Sequence, residues 1–158
     1  TVLCRIAPRS WAPRPGRIDV WWGGLEHNGD MLLLFAHLLS LNPEWRTARI
    51  SVKSIASEAH PSTWSEERLG ELLERSRIRA EAEVLEPAAG ESPHDLIQAR
   101  SRSADLVLLG LREPAEGGEA RYAEHLARLT GDLPTVILVR AAGSFAGRLL
   151  DDELSREE

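Results

Sequence analysis

The sequence of 158 residues has few of the residues on which several common kinds of protein chemistry depend. Cys4 is the single cysteine, so an intrachain disulfide and a thiolate metal site are excluded, and a reducing cytosolic setting fits. Lys53 is the single lysine, and the 19 cationic residues are outnumbered by 25 acidic ones, for a formal net charge of -6. The chain as a whole therefore lacks the basic surface expected of a nucleic-acid-binding protein.

Long hydrophobic segments are also missing. The longest apolar stretch runs from Met31 to Leu41, includes His37 and Ser40, and is far shorter than the roughly 20 residues of a membrane-spanning helix. No signal region with a charged start and an apolar centre follows Thr1. With 42% hydrophobic and 28% charged residues, the composition is globular. We expect a domain that does not enter the bilayer and that is a piece of a longer polypeptide.

What the sequence does contain is a regular alternation of strand and helix patterns. Strands are predicted at residues 18–22, 50–55, 82–85, 104–111 and 135–139. Alternation with short connections indicates an α/β fold, with a five-stranded, mostly parallel sheet and helices on both faces. We predict a flavodoxin-like strand order of 3-2-1-4-5, in which the first, fourth and fifth of these strands are the most buried.

Both ends of the chain lie outside this alternation. Residues 1–16 are predicted to form an extra edge strand and a proline-rich connector, residues 17–142 the α/β domain, and residues 143–158 a tail.

The helices are predicted from apolar spacing and from their start signals. In the first helix Leu33, Leu34, Leu38 and Leu41 recur at helical spacing, and Asn28 or Asp30 is expected to cap it. The inner faces of the second and fourth helices are predicted to be Leu69, Leu72 and Leu73, and Tyr122, Leu126 and Leu129. The third helix is expected to begin at Ser92, which is followed by a proline suited to a first turn.

A binding site is predicted where the strand order reverses, because ligands of doubly wound sheets collect there at the carboxyl ends of the strands. Two glycine-rich loops emerge at that point and make Gly23, Gly24, His27 and Gly110 the candidates. No dinucleotide or P-loop fingerprint accompanies them, and turn geometry alone also explains the glycines. We therefore predict no cofactor.

Residues that suggest catalysis are scattered. No two of the five histidines stand four residues apart, no G-x-S-x-G elbow occurs, and the acids cluster on helix faces. We predict neither a metal site nor an enzyme. Asp19 lies in an aromatic strand and needs a partner, for which a structural hydrogen bond is the simpler explanation. Trp21 and Trp22 point to opposite sheet faces, where each packs under a helical layer or forms an exposed patch for a partner.

Several segments carry a resemblance to a known family. These are IDVWWGGLEHNGDMLLLFAHLLSLNPEW and RTARISVKSI (residues 18–55), SADLVLLGLREP (103–114), YAEHLARL (122–129) and DLPTVILVRAAG (132–143). In this register the sequence resembles the C-terminal cytoplasmic domain of the cation–chloride cotransporters, the family of the Na-K-Cl and K-Cl cotransporters. The short segment 87–98 resembles the prokaryotic members, which lack long regulatory insertions.

This resemblance implies a regulatory and assembly domain on the cytoplasmic side of the cell membrane, which carries no ion itself. It implies a homodimer and attachment to a twelve-helix membrane domain of the same polypeptide. The family domain is also similar in fold to universal stress proteins, some of which bind ATP through a G-x-x-G loop. Here Glu113 stands where the second glycine after Gly110 would be. The alternative is a stand-alone nucleotide-binding protein of the stress-protein type; a small hydrolase or transferase is a third hypothesis, without a catalytic constellation.

Contact surfaces for a second copy are sought at the two ends of the chain. Trp11 lies in the proline-rich lead, and Phe145, Leu149 and Leu150 form an apolar piece of the tail. Phe145 and Leu149 are four residues apart, so a helix there would show one apolar stripe. We expect such a stripe to dock, either on its own domain or on a partner.

Overall fold

The computed structural model describes residues 1–7, 16–23, 28–57 and 62–143, except for the side chains of residues 63–65. The elements in chain order are β1 (Val2–Arg5), β2 (Arg17–Trp21), α1 (Gly29–Ser40), β3 (Arg49–Ile55), α2 (Ser62–Ser76), β4 (Glu81–Leu85), α3 (Pro93–Ser101), β5 (Leu106–Gly110), α4 (Glu119–Thr130) and β6 (Thr135–Val139). The six strands form one sheet in the order β1-β6-β5-β2-β3-β4.

The sheet confirms the predicted α/β class and strand order. β1 is antiparallel to β6, and every other neighbouring pair of strands is parallel. The five parallel strands therefore follow the order 3-2-1-4-5, and the N-terminal strand is added beside the last one. β2 and β5 are parallel neighbours, with Val20 opposite Leu108, as their apolar sequences predict. The order reverses between β2 and β5, so the switch point lies there.

Each face of the sheet is covered by two helices. On the face that we call the α1/α2 face, Ile18, Val20, Leu106 and Leu108 pack with buried residues of both helices. On the opposite face, the α3/α4 face, Trp21, Val107, Leu109, Val136 and Leu138 pack with Leu96 and Leu129. Successive strand residues alternate between these two layers, as the period of two requires.

The two tryptophans of the IDVWW segment separate as predicted. Trp21 is buried in the α3/α4 layer, whereas Trp22 is half-buried and packs against the α1/α2 layer. One aromatic ring thus lies under each helical layer, and these two residues do not form the alternative, an exposed aromatic patch.

Two predictions about burial need correction. The inner face of α1 is formed by Leu32, Leu33 and Ala36, whereas Leu38 and Leu41 are 51% and 65% exposed. The apolar run of α1 is nearly continuous, so its spacing does not distinguish one face from another. β3 is also as buried as the strands predicted to be the most buried. Its buried polar residues Ser51, Lys53 and Ser54 conceal this in the sequence.

Candidate functional site

A cavity of about 510 Å³ lies at the carboxyl ends of β2, β3 and β5, at the switch point. Its volume falls in the range of small-molecule pockets, about 300–1,000 Å³. Gly23 and Gly110, which the sequence placed at such a site, both line it. The cavity therefore lies at the position that the sequence predicted for a binding site.

The walls of the cavity are mostly aromatic and aliphatic. Trp21 and Trp22 come from the end of β2, and Leu109 and Leu111 from the end of β5. The helical wall is built mainly by the inner faces of α3 and α4, with Ile97, Tyr122, Leu126 and Leu129. A wall of this kind favours an apolar ligand surface, because contact with it removes that surface from water.

Asn28 ties the two sides of the switch point together. Its side-chain amide donates to the carbonyl oxygen of Leu111 at 2.7 Å, and its side-chain oxygen accepts from the backbone N–H of Ala141, also at 2.7 Å. Asn28 stands at the N-cap position of α1, but its side chain makes no capping hydrogen bond. The predicted capping role is therefore wrong, because the buried side chain is used across the fold instead.

Gly110 is a glycine because Asn28 approaches it closely. A Cβ added at Gly110 would lie 3.2 Å from the Asn28 amide nitrogen and 3.3 Å from its Cβ. Among the described residues, Gly23 has no such neighbour within 4 Å. The open side of Gly110 is thus filled by Asn28, which accounts for this glycine without a phosphate.

A row of three stacked rings, with one guanidinium group at its end, lies beside the cavity. The Arg112 guanidinium carbon lies 5.3 Å from the ring centroid of Tyr122, and the backbone N–H of Arg112 donates to the Tyr122 hydroxyl at 3.1 Å. The rings of Tyr122 and His125 are stacked with centroids 6.3 Å apart, and those of His125 and His94 with centroids 4.8 Å apart. Arg112, Tyr122 and His125 line the cavity, and the contact with His94 joins α4 to α3.

The charge at the cavity is positive in character. Among the described residues that line it, none is an aspartate or glutamate, and Arg112 is the one with a permanent positive charge. Burial first, and then the neighbouring His94, Arg112 and Arg128, hold the pKa of His125 below its ordinary value. His125 is therefore neutral at neutral pH, and its nitrogens offer one donor and one acceptor.

Beneath the cavity, Trp21 is held by a buried hydrogen-bond chain. Its indole N–H donates to Ser101 Oγ at 2.9 Å, and the Ser101 hydroxyl donates to Asp19 Oδ2 at 2.8 Å. Arg17 Nε lies 2.9 Å from Asp19 Oδ1, which completes an ion pair with a fully buried carboxyl group. The partner that Asp19 was predicted to need is therefore present, and its role is to fix neighbouring side chains.

Burial dominates the titration of Asp19. It raises the pKa of this carboxyl group, against the opposing effects of the Ser101 hydrogen bond and the positive charges of Lys53 and Arg17. Lys53 is itself 4% exposed and forms an ion pair with Glu83 on the adjacent strand. The hydrogen bond from the Lys53 ammonium group lowers the pKa of Glu83. The second carboxylate oxygen of Glu83, Oε1, lies 3.5 Å from Arg100 Nη1. A polar network thus crosses the α3/α4 face from β4 to β2.

The other candidates from the sequence fall on parts of the chain that the structure does not describe. Gly24 and His27, and the contact candidates Trp11, Phe145, Leu149 and Leu150, lie outside the residues that the structure describes. Within those residues no group of three His, Cys, Asp or Glu side chains could hold a metal ion. No helix in the described part of the chain is long and apolar enough to cross a membrane.

Arg112 and His125 were missed as site residues. The usable signal lay in α4, where Tyr122, His125, Leu126 and Leu129 recur at the spacing of one helix face. A polar residue on an otherwise apolar inner face indicates a position at the edge of a core or a cavity.

The fold and its switch-point cavity define a doubly wound α/β domain of the kind that binds ligands at the carboxyl ends of its strands. No family model matches the sequence. The structure is similar to a solved one, the cytoplasmic domain of a prokaryotic cation chloride cotransporter, with a TM-score of 0.64 and 22% sequence identity. The similarity covers 94% of this chain and 54% of that one, so this chain spans about half the length of the solved domain. The resemblance seen in the sequence is thereby confirmed at the level of the fold.

Proposed function

We propose that this chain is part of the cytoplasmic domain of a cation–chloride cotransporter, in which it serves regulation and assembly rather than catalysis. The observation that carries the proposal is the similarity of fold to such a domain over 94% of the chain. Ion transport itself would belong to a membrane domain of the same polypeptide.

The distribution of sequence features supports this proposal. The IDVWW segment supplies β2 and the two tryptophans, and the segment 132–140 supplies β6. These segments, which resemble the cotransporter family, thus form an inner strand and the strand that pairs with β1, rather than surface loops. A fold can be shared by unrelated functions, so the proposal needs a functional test.

The test uses the complete polypeptide from its gene, produced in cells and assayed for chloride-dependent uptake of rubidium. We expect membrane-spanning segments in that polypeptide and uptake that depends on chloride. Leu108→Asp, which places a charge in the buried β5 strand, is expected to reduce uptake. Glu124→Gln, an exposed change on α4, is the matched control and should leave uptake unchanged.

A polypeptide without spanning segments, or rubidium uptake that is indifferent to chloride, would contradict the proposal. The second candidate, a stand-alone nucleotide-binding protein, is supported by one observation, the cavity at the switch point. It requires saturable binding of ATP at micromolar concentration, measured by calorimetric titration. We expect ATP to bind weakly or not at all.

Assembly is proposed to involve a homodimer with a weak contact in the isolated domain. Interfaces below about 1,200 Å² are typically transient, so sedimentation should show a monomer–dimer equilibrium that depends on concentration. Leu149→Asp is expected to shift it toward monomer. A strict monomer at high concentration would count against a dimer role, and an unchanged equilibrium in the variant would direct attention to Trp11.

A further inference from the structure

The cavity at the switch point has a chemistry that selects among ligands. Its walls offer two indole rings, a phenol ring and the aliphatic side chains of β5, α3 and α4. A ligand that fills such a cavity gains free energy in proportion to the apolar area that it buries. The ligand therefore needs an apolar body of up to about three rings, which a volume of about 510 Å³ accommodates.

The charged groups at the cavity indicate the sign of the ligand. No carboxylate occurs among its described wall residues, although the chain has 25 acidic residues. The described structure records ion pairs for Arg17, Arg100 and Arg140, and none for Arg112. The main-chain N–H of Arg112 donates to the Tyr122 hydroxyl, and its guanidinium group lies over the Tyr122 ring. A guanidinium group presented in this way suits a carboxylate or sulfonate, which it binds through two parallel hydrogen bonds.

The same geometry argues against a polyphosphate. One permanently charged cation lines the described walls, whereas phosphate chains are usually held by several cations or by a run of backbone N–H groups. The Cβ position of Gly110, where a phosphate would approach the backbone, is 3.2 Å from the Asn28 amide. Asn28 is buried and uses both of its side-chain polar atoms within the fold. Its displacement would break two hydrogen bonds that join α1, β5 and β6.

We propose that the switch-point cavity binds an amphipathic organic monoanion, with its ring-sized apolar body against Trp21, Tyr122 and Leu126 and its carboxylate or sulfonate group on Arg112. Trp21 is positioned for this contact by Ser101 and Asp19, so the wall is formed before the ligand arrives. His125 provides a neutral hydrogen-bonding group beside the anion. The inference goes beyond the proposed function, because binding is a property of this chain whether or not it belongs to a transporter.

The test uses two fluorescent probes on the whole chain. Anilinonaphthalene sulfonate is a monoanion with a naphthalene and a phenyl ring, and phenylnaphthylamine has the same rings without the sulfonate. We expect the sulfonate to saturate one site per chain, to quench tryptophan fluorescence, and to bind at least about tenfold more tightly than the neutral probe. A tenfold difference corresponds to about 1.4 kcal/mol, which is close to the lower end of the range for one hydrogen bond to a charged group.

Three variants locate the probe and its charge contact. Arg112→Gln should weaken binding of the sulfonate about tenfold and leave the neutral probe unchanged. Arg121→Gln is the matched control, since Arg121 is exposed on α4 and does not line the cavity, and it should change neither affinity. Ala56→Phe fills the cavity from the end of β3 and should abolish binding of both probes.

Several results would overturn the proposal. Equal affinity for the two probes, or a sulfonate affinity that is the same in Arg112→Gln, would show a cavity that does not select anions. Displacement of the sulfonate by micromolar ATP would assign the cavity to nucleotides instead. Should Ala56→Phe unfold, as a urea titration would reveal, the Arg112 and Arg121 variants decide the matter, because both changes lie at exposed positions.

Discussion

The two faces of the sheet differ in what they bury. On the α1/α2 face, β2 and β5 contribute only aliphatic side chains, and these pack directly against α1 and α2. On the α3/α4 face, the same sheet buries Asp19, Ser51 and Lys53 beside its apolar residues, and α3 and α4 build most of the helical wall of the cavity. On the first face these two strands bury only apolar side chains, whereas on the second the sheet combines apolar residues with hydrogen-bonded charged groups and borders most of the cavity.

The difference sets close apolar contact on one face against polar groups and a cavity on the other, within one small domain. A mainly apolar layer stabilises through area removed from water and tolerates little change in volume. A layer with a cavity sacrifices part of that packing, but its fixed polar groups hold rings such as Trp21 in one orientation. The same truncation of a side chain should therefore lower the free energy of unfolding by different amounts on the two faces.

The largest effect is expected for a pair of neighbouring leucines in β5. Leu108 is fully buried on the α1/α2 face, and Leu109 is buried on the opposite face but borders the cavity. Leu108→Ala should lower the free energy of unfolding toward the upper end of the usual range of about 2–5 kcal/mol, and Leu109→Ala toward its lower end. Urea titrations of both variants measure the difference. A Leu109 variant that is the less stable of the two would remove the contrast between the faces.

The next effect concerns the ion pair on the α3/α4 face. Glu83→Gln leaves the buried Lys53 ammonium without its partner carboxylate. Because the Glu83 side chain is 38% exposed, we expect a loss of about 1–3 kcal/mol, below the about 3–5 kcal/mol typical of fully buried pairs. Adding Lys53→Met should recover part of the loss. A single variant that is as stable as the original chain would show that this ion pair adds nothing to the stability of the fold.

A smaller effect should appear in the pH dependence of stability. The pKa of Asp19 is raised in the folded state, so its favourable contribution is complete below the ordinary value of 3.8 and is lost as the pH rises through the folded pKa. Asp19→Asn, which does not titrate, should therefore gain stability relative to the original chain as the pH rises above the ordinary value of 3.8. If the free energy of unfolding depends on pH in the same way in both proteins, the raised pKa of Asp19 is contradicted.

The smallest effect is expected at His125. Its pKa is lowered in the folded state, so the contribution to stability is present above the ordinary value of 6.5 and is lost as the pH falls through the folded pKa. Below pH 6.5, His125→Gln should slightly reduce the dependence of the free energy of unfolding on pH. The groups that face this imidazole are His94, Tyr122, Arg112 and Arg128. A curve of unchanged slope in the variant would show that His125 titrates as it does in water.

The fold was predictable because its signals are local and repeated. Alternating strand and helix patterns determine the class, and the apolar runs of β2 and β5 indicate adjacent inner strands. The switch-point glycines then locate the cavity. The contact between His94 and His125 was not predictable, because the two residues are 31 positions apart and meet only when α3 and α4 pack. Asn28 was read as a helix cap for the same reason, since its partners Leu111 and Ala141 are distant in sequence.

The burial of Lys53 has a consequence for covalent chemistry. Lys53 is the only lysine in the chain, and it is 4% exposed and paired with Glu83 between β3 and β4. The folded domain thus presents no accessible side-chain amine to acylating reagents, or to enzymes that acetylate or ubiquitinate lysine. Such a modification requires the β3–β4 edge to open first. The rate at which an amine-reactive label accumulates on Lys53 would therefore report how often this edge of the sheet separates in the native protein.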